Sequence, residues 1–474
     1  MQITKVPSKP QASNRLVTLM IISLLLCTMY LLASFLILPS TKVIHLSSSL
    51  QGWSSPTTLE HIVFGIASNE KSWPSRKDYV RIWWRPQEMR GCVFLEGMPP
   101  NGTLDQADAG SLPPICASED TSRFRYTYRH GHRSAIRVAR VVLETVALNH
   151  PNVRWFVFGD DDTLFFPENL VKTLSKYDDG LWYYIGTNSE SFAQNKLFSY
   201  EMAFGGAGFA ISYPLAKVLA SVLDSCLVRY PHLYGSDSRI QACLAELGIS
   251  LTHEPGFHQM DIRGSMLGFL TSHPLRPIVS LHHWEAMDSI FPKMEPKEAM
   301  KHLFQAVNID SQRVVQQTVC YDRWFSWTIS VSWGYAVQIF PHHLFLPDAL
   351  RTLKTYQLWK KGGSGIYELY EVDTLALHPD PCRRPTVFFL HSLSSAADGI
   401  RSFYRRMTSE NCTFDAFSPR KIEQIIVMSH KLDLDQQQLL APRRQCCDVL
   451  PSAAENVMEI AIRECGLEEL VHMH

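Results

Sequence analysis

The stretch RWFVFGDDDTLFFPENL, Arg154 to Leu170, decides the fold. Trp155 to Phe158 are apolar and rich in strand-forming types, and Gly159 leads straight into Asp160, Asp161 and Asp162. Three adjacent carboxylates repel one another unless a cation is present. Two readings stand side by side. Asp162 or Thr163 caps the helix that opens near Pro167, or the aspartates close a strand at the sheet end where ligands bind in open α/β folds. Oxygen ligands of this kind suit a hard divalent ion, Mn²⁺ or Mg²⁺, able to bridge to a diphosphate.

Working outward, HIVFGIAS (61–68), CVFLE (92–96), LWYYIG (181–186) and AFGGAGFAIS (203–212) read as strands. SRKDYVRIWW, the run beginning RSAIRVARVV, the segment from Pro167, YPLAKVLASVLDSCL and SDSRIQACLAELG read as helices. Ser212 is a candidate cap, Pro214 suits a first turn, and Gly248 closes the last of these helices. Leu215, Val218, Leu219, Val222 and Leu223 form one buried face. Alternation of strands and helices over 61–250 predicts an α/β layer with a largely parallel sheet. Arg133, Arg137 and Arg140 form a helical stripe, read as a solvated face or as a contact for an anion.

Beyond about residue 296 the pattern changes. Residues 327–339 (WTISVSWGYAVQI) alternate with period two, which predicts a half-buried antiparallel strand. TVFFL (386–390) and EQIIVMSH (423–430) are further strands of a smaller β-rich C-terminal module. KKGGSG (360–365) lacks phosphate-loop spacing and reads as a turn.

A chain of 474 residues is longer than one core normally serves. The net charge of −1, with no run of either sign, does not predict nucleic acid as a partner. Leu16–Leu38 carries no charge and as a helix would be about 35 Å long, enough for a bilayer. Lys5, Lys9 and Arg15 precede it and only Lys42 follows closely, so the N-terminus is placed in the cytosol and the body in the lumen. A cleaved signal peptide is the alternative, but the run is long for one. Asn101 and Asn411 head glycosylation triplets. Of 11 cysteines, all but Cys27 lie outside the apolar run, an even set suited to disulfides. The predicted organisation is a cytosolic tail (1–15), a transmembrane signal anchor (16–38), a stem (39–60), an α/β catalytic domain (61–295) and the β-rich module (296–474). Nothing in the sequence supports a homo-oligomer.

A polymerase-like or phosphatase-like aspartate turn fits poorly behind such an anchor. A nucleotide-sugar transferase fits, because a metal offsets charge on a departing nucleoside diphosphate. The ordered series WFVFGDDDT, GGAGFAIS, YGSDSRIQACLAELG, GFHQMDIRG and PIVSLHHWE resembles the plant fringe-related glycosyltransferases of glycosyltransferase family 31, the β-1,3-glycosyltransferase group. YVRIWWRPQEMRG, DPCRRPTVFFL and RRQCCDVLPS extend the resemblance from about residue 61 to the end. It implies a GT-A fold with a Rossmann-type sheet, Mn²⁺, a UDP-sugar donor, a glycan acceptor, inversion at the anomeric carbon and a Golgi membrane location of type II topology.

Carried over by position, Asp160, Asp161 and Asp162 match the D-x-D motif. The implied metal ligands are Asp160, Asp162 and His282, and Asp160, Asp161, Gly205, Gly206 and Gly208 are the implied donor-binding residues. Asp237 matches the catalytic base; read from the residues alone, it equally suits a helix cap. Ser236 stands where such enzymes carry a second acidic residue, and Met260 where they tend to have a histidine, which leaves His258, His282 and His283 open as the metal-binding histidine. A silent glycan-binding or scaffold protein with the same fold is the alternative function.

Overall fold

The computed structural model describes residues 13–37, 56–97, 110–359, 369–407 and 412–473. Asn101, Asn411, the 360–365 turn and most of the predicted tail and stem lie outside the described residues. Contacts divide the chain into two units, Met1–Pro56 and Thr57–His474. In the first, the apolar run forms helix α1, Ser13–Ile37, whose described side chains, 18–30, are exposed. Among the described residues no helix is long and apolar enough to cross a membrane, and the predicted span extends beyond those side chains.

The second unit starts with a seven-stranded sheet built from β1 (Ile62–Ala67), β2 (Arg90–Leu95), β3 (Ile115–Ala117), β4 (Trp155–Asp160), β6 (Tyr184–Gly186), β7 (Phe209–Ser212) and β8 (Thr252–His253), in the order β3-β2-β1-β4-β7-β6-β8. A two-residue strand, β5 (Leu164–Phe165), follows β4 and stays outside this sheet. Strands β3, β2, β1 and β4 are parallel, and β7 runs antiparallel to both its neighbours. Because β6 pairs parallel with β8, six of the seven strands run the same way and β7 alone is reversed, so the sheet is largely parallel as predicted.

Both sheet faces are covered, which is why β1 and β4 read as continuous apolar runs instead of alternating ones. Ile62, Phe64 and Ile66 join Trp155 and Val157 under α2 (Trp73–Trp83) and α4 (Pro167–Leu174). Val63, Phe156 and Phe158 meet α3 (Ser134–Ala147), α6 (Tyr213–Leu227) and α7 (Ser236–Glu246) on the other side. Each such side chain contributes about 1.5–3 kcal/mol on leaving water, so neither face tolerates exposure. A short helix, α5 (Phe192–Leu197), lies between β6 and β7.

The predicted strand over 203–212 is only half a strand. Residues 205–207 form a turn, Gly208 takes φ +81° and β7 begins at Phe209. Two arginines of the stripe, Arg137 and Arg140, are buried and used inside the protein, while Arg133 is exposed. Arg137 is buried and donates to the Phe94 and Ser68 carbonyls, while buried Arg140 meets Asp224, Glu119 and Glu144. Arg133 donates to the Thr121 and Ser122 carbonyls.

Between the two large sheets run β9 (Ile262–Gly264), the short α8 (Leu267–Leu270), β10 (Ser280–Leu281) and α9 (Pro296–Asp310). The second sheet has eight strands: β11 (Gln317–Asp322), β12 (Trp327–Ser332), β13 (Ala336–Phe340), β17 (Thr386–Ala396), β18 (Gly399–Arg406), β19 (Gln424–Ser429), β21 (Val457–Arg463) and β20 (Cys446–Leu450), in that spatial order. Short strands β14 (Thr352–Leu353), β15 (Tyr356–Leu358) and β16 (Thr374–Leu375) fill the excursion after β13, and β15 pairs with β9. The terminal strands β11 and β20 are joined by Cys320–Cys447.

Residues 327–339 do not form one strand. They fold into a hairpin, β12–β13, turning at Trp333-Gly334-Tyr335 with Gly334 at φ +77°. Both strands are buried throughout. Ile329 pairs with Ile339 and Val331 with Val337, so odd numbers face odd numbers across the turn. Period-two alternation thus passes through the hairpin unbroken, and a long strand and this hairpin have the same pattern.

One apolar core runs from the α2/α4 face of the first sheet through α9 to the second sheet. Phe166 meets Phe304 at 5.2 Å and Phe291 meets Tyr335 at 5.5 Å between ring centres. Cys92–Cys116, Cys226–Cys243, Cys382–Cys412 and Cys446–Cys465 are also bonded, so every cysteine after Cys27 is paired.

Candidate active site

Strand order reverses at β1. The chain passes from β1 to β2 on one side and later adds β4 on the other, so the crevice beyond the carboxyl ends of β1 and β4 is the switch point where α/β sheets bind ligands. Ala67 is level with Asp160 in this pair, which sets Ser68 beside the aspartate turn.

Asp161 is consumed by the protein. Its buried Oδ2 accepts from Ser68 Oγ at 2.7 Å and Ser72 Oγ at 2.6 Å, and its Oδ1 accepts from Arg76 Nη1 at 2.9 Å. These contacts anchor the first turns of α2 to the end of β4. Asp161 braces the turn, and the carboxylates on either side of it remain for chemistry. Capping explains neither neighbour: α4 starts after Phe166 without a side-chain cap, and Thr163 Oγ1 accepts from the Asp160 N–H and donates to the Gly206 carbonyl.

The short β5–β10 ladder pairs Leu164 with Leu281 and Phe165 with Ser280. That register brings His282 to the aspartates from far along the chain. His282 Nε2 lies 3.2 Å from Asp162 Oδ1 and 3.9 Å from Asp160 Oδ2. One ligand atom from each of Asp160, Asp162 and His282 falls within 4.8 Å of the others. His282 Nδ1 faces the Gln259 carbonyl at 3.3 Å, and the Gln259 side-chain oxygen accepts from the Ala207 N–H at 2.8 Å, which turns Nε2 toward the carboxylates. Met260 and His283, beside these two residues, take φ +59° and +52°. Such left-handed backbone in large residues is held only where the surroundings impose it.

Two cationic side chains, Arg76 and His282, face the aspartates. Arg76 reaches Asp162 Oδ2 at 3.2 Å as well as Asp161, and Glu285 on its other side at 3.2 Å. Burial works against a charged His282, yet Asp162 and Asp160 raise its pKa to about 9. Asp162 is also buried, but His282 and Arg76 hold its carboxyl well below the usual range. Desolvation at the strand end and the neighbouring carboxylates push Asp160 up, although its side chain stays 39% exposed. Two carboxylates and an oriented imidazole, whose Nε2 must give up its proton to bind, form a donor set suited to a divalent ion.

The Gly205–Gly208 turn separates this triad from Asp237. A Cβ on Gly206 would lie 2.1 Å from the His282 ring, and one on Gly205 would lie 2.7 Å from Asp237 Oδ1. The Gly205 N–H donates to Asp237 Oδ2 at 3.0 Å, and Ser236 Oγ to Oδ1 at 2.7 Å. Asp237 does not cap α7, whose cap position is Gly235. Asp160 and Asp237 line one small cavity of about 30 Å³, room for about one water molecule.

The other two histidines make different contacts, although the His283 ring centre lies 3.8 Å from that of His282. His258 is buried between Glu190 at 3.2 Å and His273 at 2.8 Å. His283 stacks on Trp359 and faces Asp261 at 3.4 Å. Neither joins the triad. Arg76, Ser68, Ser72 and Gln259 complete the site, and nothing in their helical or strand spacing singles them out. The only signal in the sequence is a small polar residue, Ser68, ending the strand beside the switch point.

The chain belongs to the family described as "Protein of unknown function, DUF604", whose model matches residues 194–447, more than half of the chain. Two curated relatives are similar over a shorter piece. A β-1,3-glucosyltransferase of Mus musculus is 31% identical over 111 residues, 23% of this chain and 22% of that protein. A β-1,3-glucosyltransferase of Homo sapiens is 32% identical over 105 residues, 22% of this chain and 20% of that protein. The chain thus spans about a fifth of the length of these relatives. Among solved structures, the mannosyltransferase PcManGT from Pyrobaculum calidifontis in complex with GDP-Man and Mn²⁺ superposes with a TM-score of 0.28 at 11% identity, over 48% of this chain and 66% of that one. Galactosyltransferase LgtC in complex with donor and acceptor sugar analogs superposes with 0.29 at 13%, over 47% and 86%. Superpositions this loose carry no weight for the chemistry of this chain.

Proposed function

We propose that the chain is an inverting, metal-dependent glycosyltransferase of the GT-A type, related to the plant fringe-like members of family 31. It moves a sugar from a UDP-sugar to a glycan hydroxyl, with a β-1,3 linkage, behind a type II signal anchor in the Golgi membrane. The carrying observation is the Asp160–Asp162–His282 triad set against Asp237 across one glycine turn. Similarity to two β-1,3-glucosyltransferases supports the reaction class. Five disulfides support an oxidising compartment.

Asp160, Asp162 and His282 would hold the ion, which when bound supplies positive charge against the departing diphosphate. The remaining steps belong to side chains of this protein. Ser68, Ser72 and Arg76 keep the aspartate turn rigid through Asp161, and Gln259 orients His282. As the acceptor oxygen bonds to the anomeric carbon, the bond from that carbon to the diphosphate oxygen breaks with its electron pair. Asp237 takes the acceptor's proton; its orientation is preset by the Gly205 N–H and Ser236.

Thermal denaturation of the full chain with nucleoside diphosphates tests this. UDP should raise the melting temperature only with Mn²⁺ present, and GDP should not. No response to any nucleotide with Mn²⁺ would overturn the reading.

A further inference from the structure

The segment SRFRYTYRHGHR, 122–133, contains no acidic residue, and Arg125, Arg129, His130 and His132 are exposed. It is fastened to the loop that leads into α7. Thr127 N–H donates to the Pro231 carbonyl at 2.8 Å, and Tyr126 Oη to the Tyr234 carbonyl at 2.9 Å. Arg239 lies over the Tyr126 ring at 5.0 Å and donates to the Gly235 and Leu233 carbonyls. This basic segment therefore lies beside the loop that delivers Asp237.

A file of aromatic rings connects the two. Tyr128 meets Tyr234 edge-on at 5.2 Å, Tyr234 stacks on Phe198 at 5.7 Å, and Phe198 meets Phe204 at 6.1 Å. Phe204 immediately precedes Gly205, whose N–H holds Asp237. Tyr128 and Tyr234 remain 43% and 40% exposed, large areas for rings that have neighbours available. Flat exposed aromatics with polar edges suit the apolar face of a pyranose.

Two of the charges around this shelf are not used internally. Arg123 is paired with Asp224. Arg125 and Arg129 have no ion pair or hydrogen bond among the described residues. Two unspent guanidiniums beside exposed aromatic rings call for an anionic ligand, because guanidinium meets two oxygens of a carboxylate or sulfate with paired donors.

We infer that Tyr128, Tyr234 and Phe198, flanked by Arg125 and Arg129, form the acceptor subsite and that the acceptor is an acidic glycan bearing carboxylate or sulfate groups. This rests on the transferase reading above and adds the substrate class. The rings carry the sugar next to the one that reacts, the arginines bind its anion, and the accepting hydroxyl is brought to Asp237. A uronate and a sulfated sugar share this chemistry.

The test is binding of defined oligosaccharides to the full chain by titration calorimetry, at low and moderate salt. The probes are a galacturonic acid hexamer, its fully methyl-esterified form, a chondroitin sulfate hexamer and a single-stranded DNA of equal charge. One acidic sugar should bind at least about tenfold tighter than the neutral ester, as befits a close charge pair, and weaken as salt rises. Tighter binding of the galacturonic acid hexamer names carboxylate, whereas tighter binding of chondroitin sulfate, which carries both anions, shows that sulfate adds to the recognition. Arg125→Gln with Arg129→Gln should remove that preference at an unchanged melting temperature. Tyr234→Ala should weaken binding and Tyr234→Phe retain it. Equal affinity for acid and ester, equal affinity for DNA, or an undiminished preference in the double variant would overturn the inference. Stabilisation by Mn²⁺ and UDP, measured on the same samples, separates the two failures: its absence condemns the transferase reading, whereas its presence with no acid preference condemns only the acidic acceptor.

Discussion

Gly206 lies against the imidazole of His282 so closely that a single methyl group would occupy the ring's position. Gly206→Ala must therefore displace the histidine or the turn. Overpacking of this kind costs about 1–3 kcal/mol. The expected outcome is a modestly lower melting temperature and loss of Mn²⁺-dependent stabilisation by UDP. A variant that binds Mn²⁺ and UDP like the parent would separate His282 from the metal.

Asp161 and Asp162 are neighbours with opposite expected phenotypes. Asp161→Ala strands two serine hydroxyls and one edge of Arg76, costing about 2–4 kcal/mol, somewhat below a fully buried pair because Arg76 is partly exposed. Its defect should appear in the melting temperature without any ligand. Asp162→Ala leaves Arg76 to Asp161 and Glu285, so the fold should survive while Mn²⁺–UDP stabilisation disappears. Equal loss of stability in both variants would contradict this division.

Asp237→Asn keeps an oxygen for the Gly205 N–H but cannot take a proton. It should retain its melting temperature and its Mn²⁺–UDP affinity and lose about 10²- to 10⁴-fold in transfer rate. Hydrolysis of a UDP-sugar serves as the readout where no acceptor is at hand. Turnover within a few-fold of the parent would remove Asp237 from the mechanism.

Topology is tested separately. Protease added to intact microsomes should spare the chain beyond Leu38, and Asn101 or Asn411 should carry glycan. Digestion of Thr57–His474 from outside would overturn both the anchor and the compartment.

The aspartate turn was legible because an apolar strand rarely ends in three like charges without a reason that the sequence itself advertises. Asp237 was visible only through the order of motifs, since an acidic residue near a helix start has an equally good capping role. His282 could not be chosen over His258 and His283 from spacing. The choice is made by the register of β5 on β10, a tertiary pairing between segments more than a hundred residues apart. Arg76 was hidden for a similar reason: its partners are on another element, while its own helix obeys an ordinary period. The glycine run reads as strand because small apolar residues fit either state, and the 327–339 hairpin reads as one strand because its register preserves parity.

The clasp between Cys320 and Cys447 bears on how the chain is made. It joins the first strand of the eight-stranded sheet to the penultimate one in sequence, across 127 residues. At about 5–20 residues per second of synthesis, roughly 6–25 s pass between the arrival of one sulfur and the other. The seven-stranded sheet is finished by His253, well before that. During the interval its α2/α4 side is only partly covered, because strands β17 to β21 of the shared core are not yet made. The nascent chain therefore presents part of that apolar face for seconds, and a folding assistant that shields such faces, together with an oxidase acting late, would set its yield more than any property of the finished molecule.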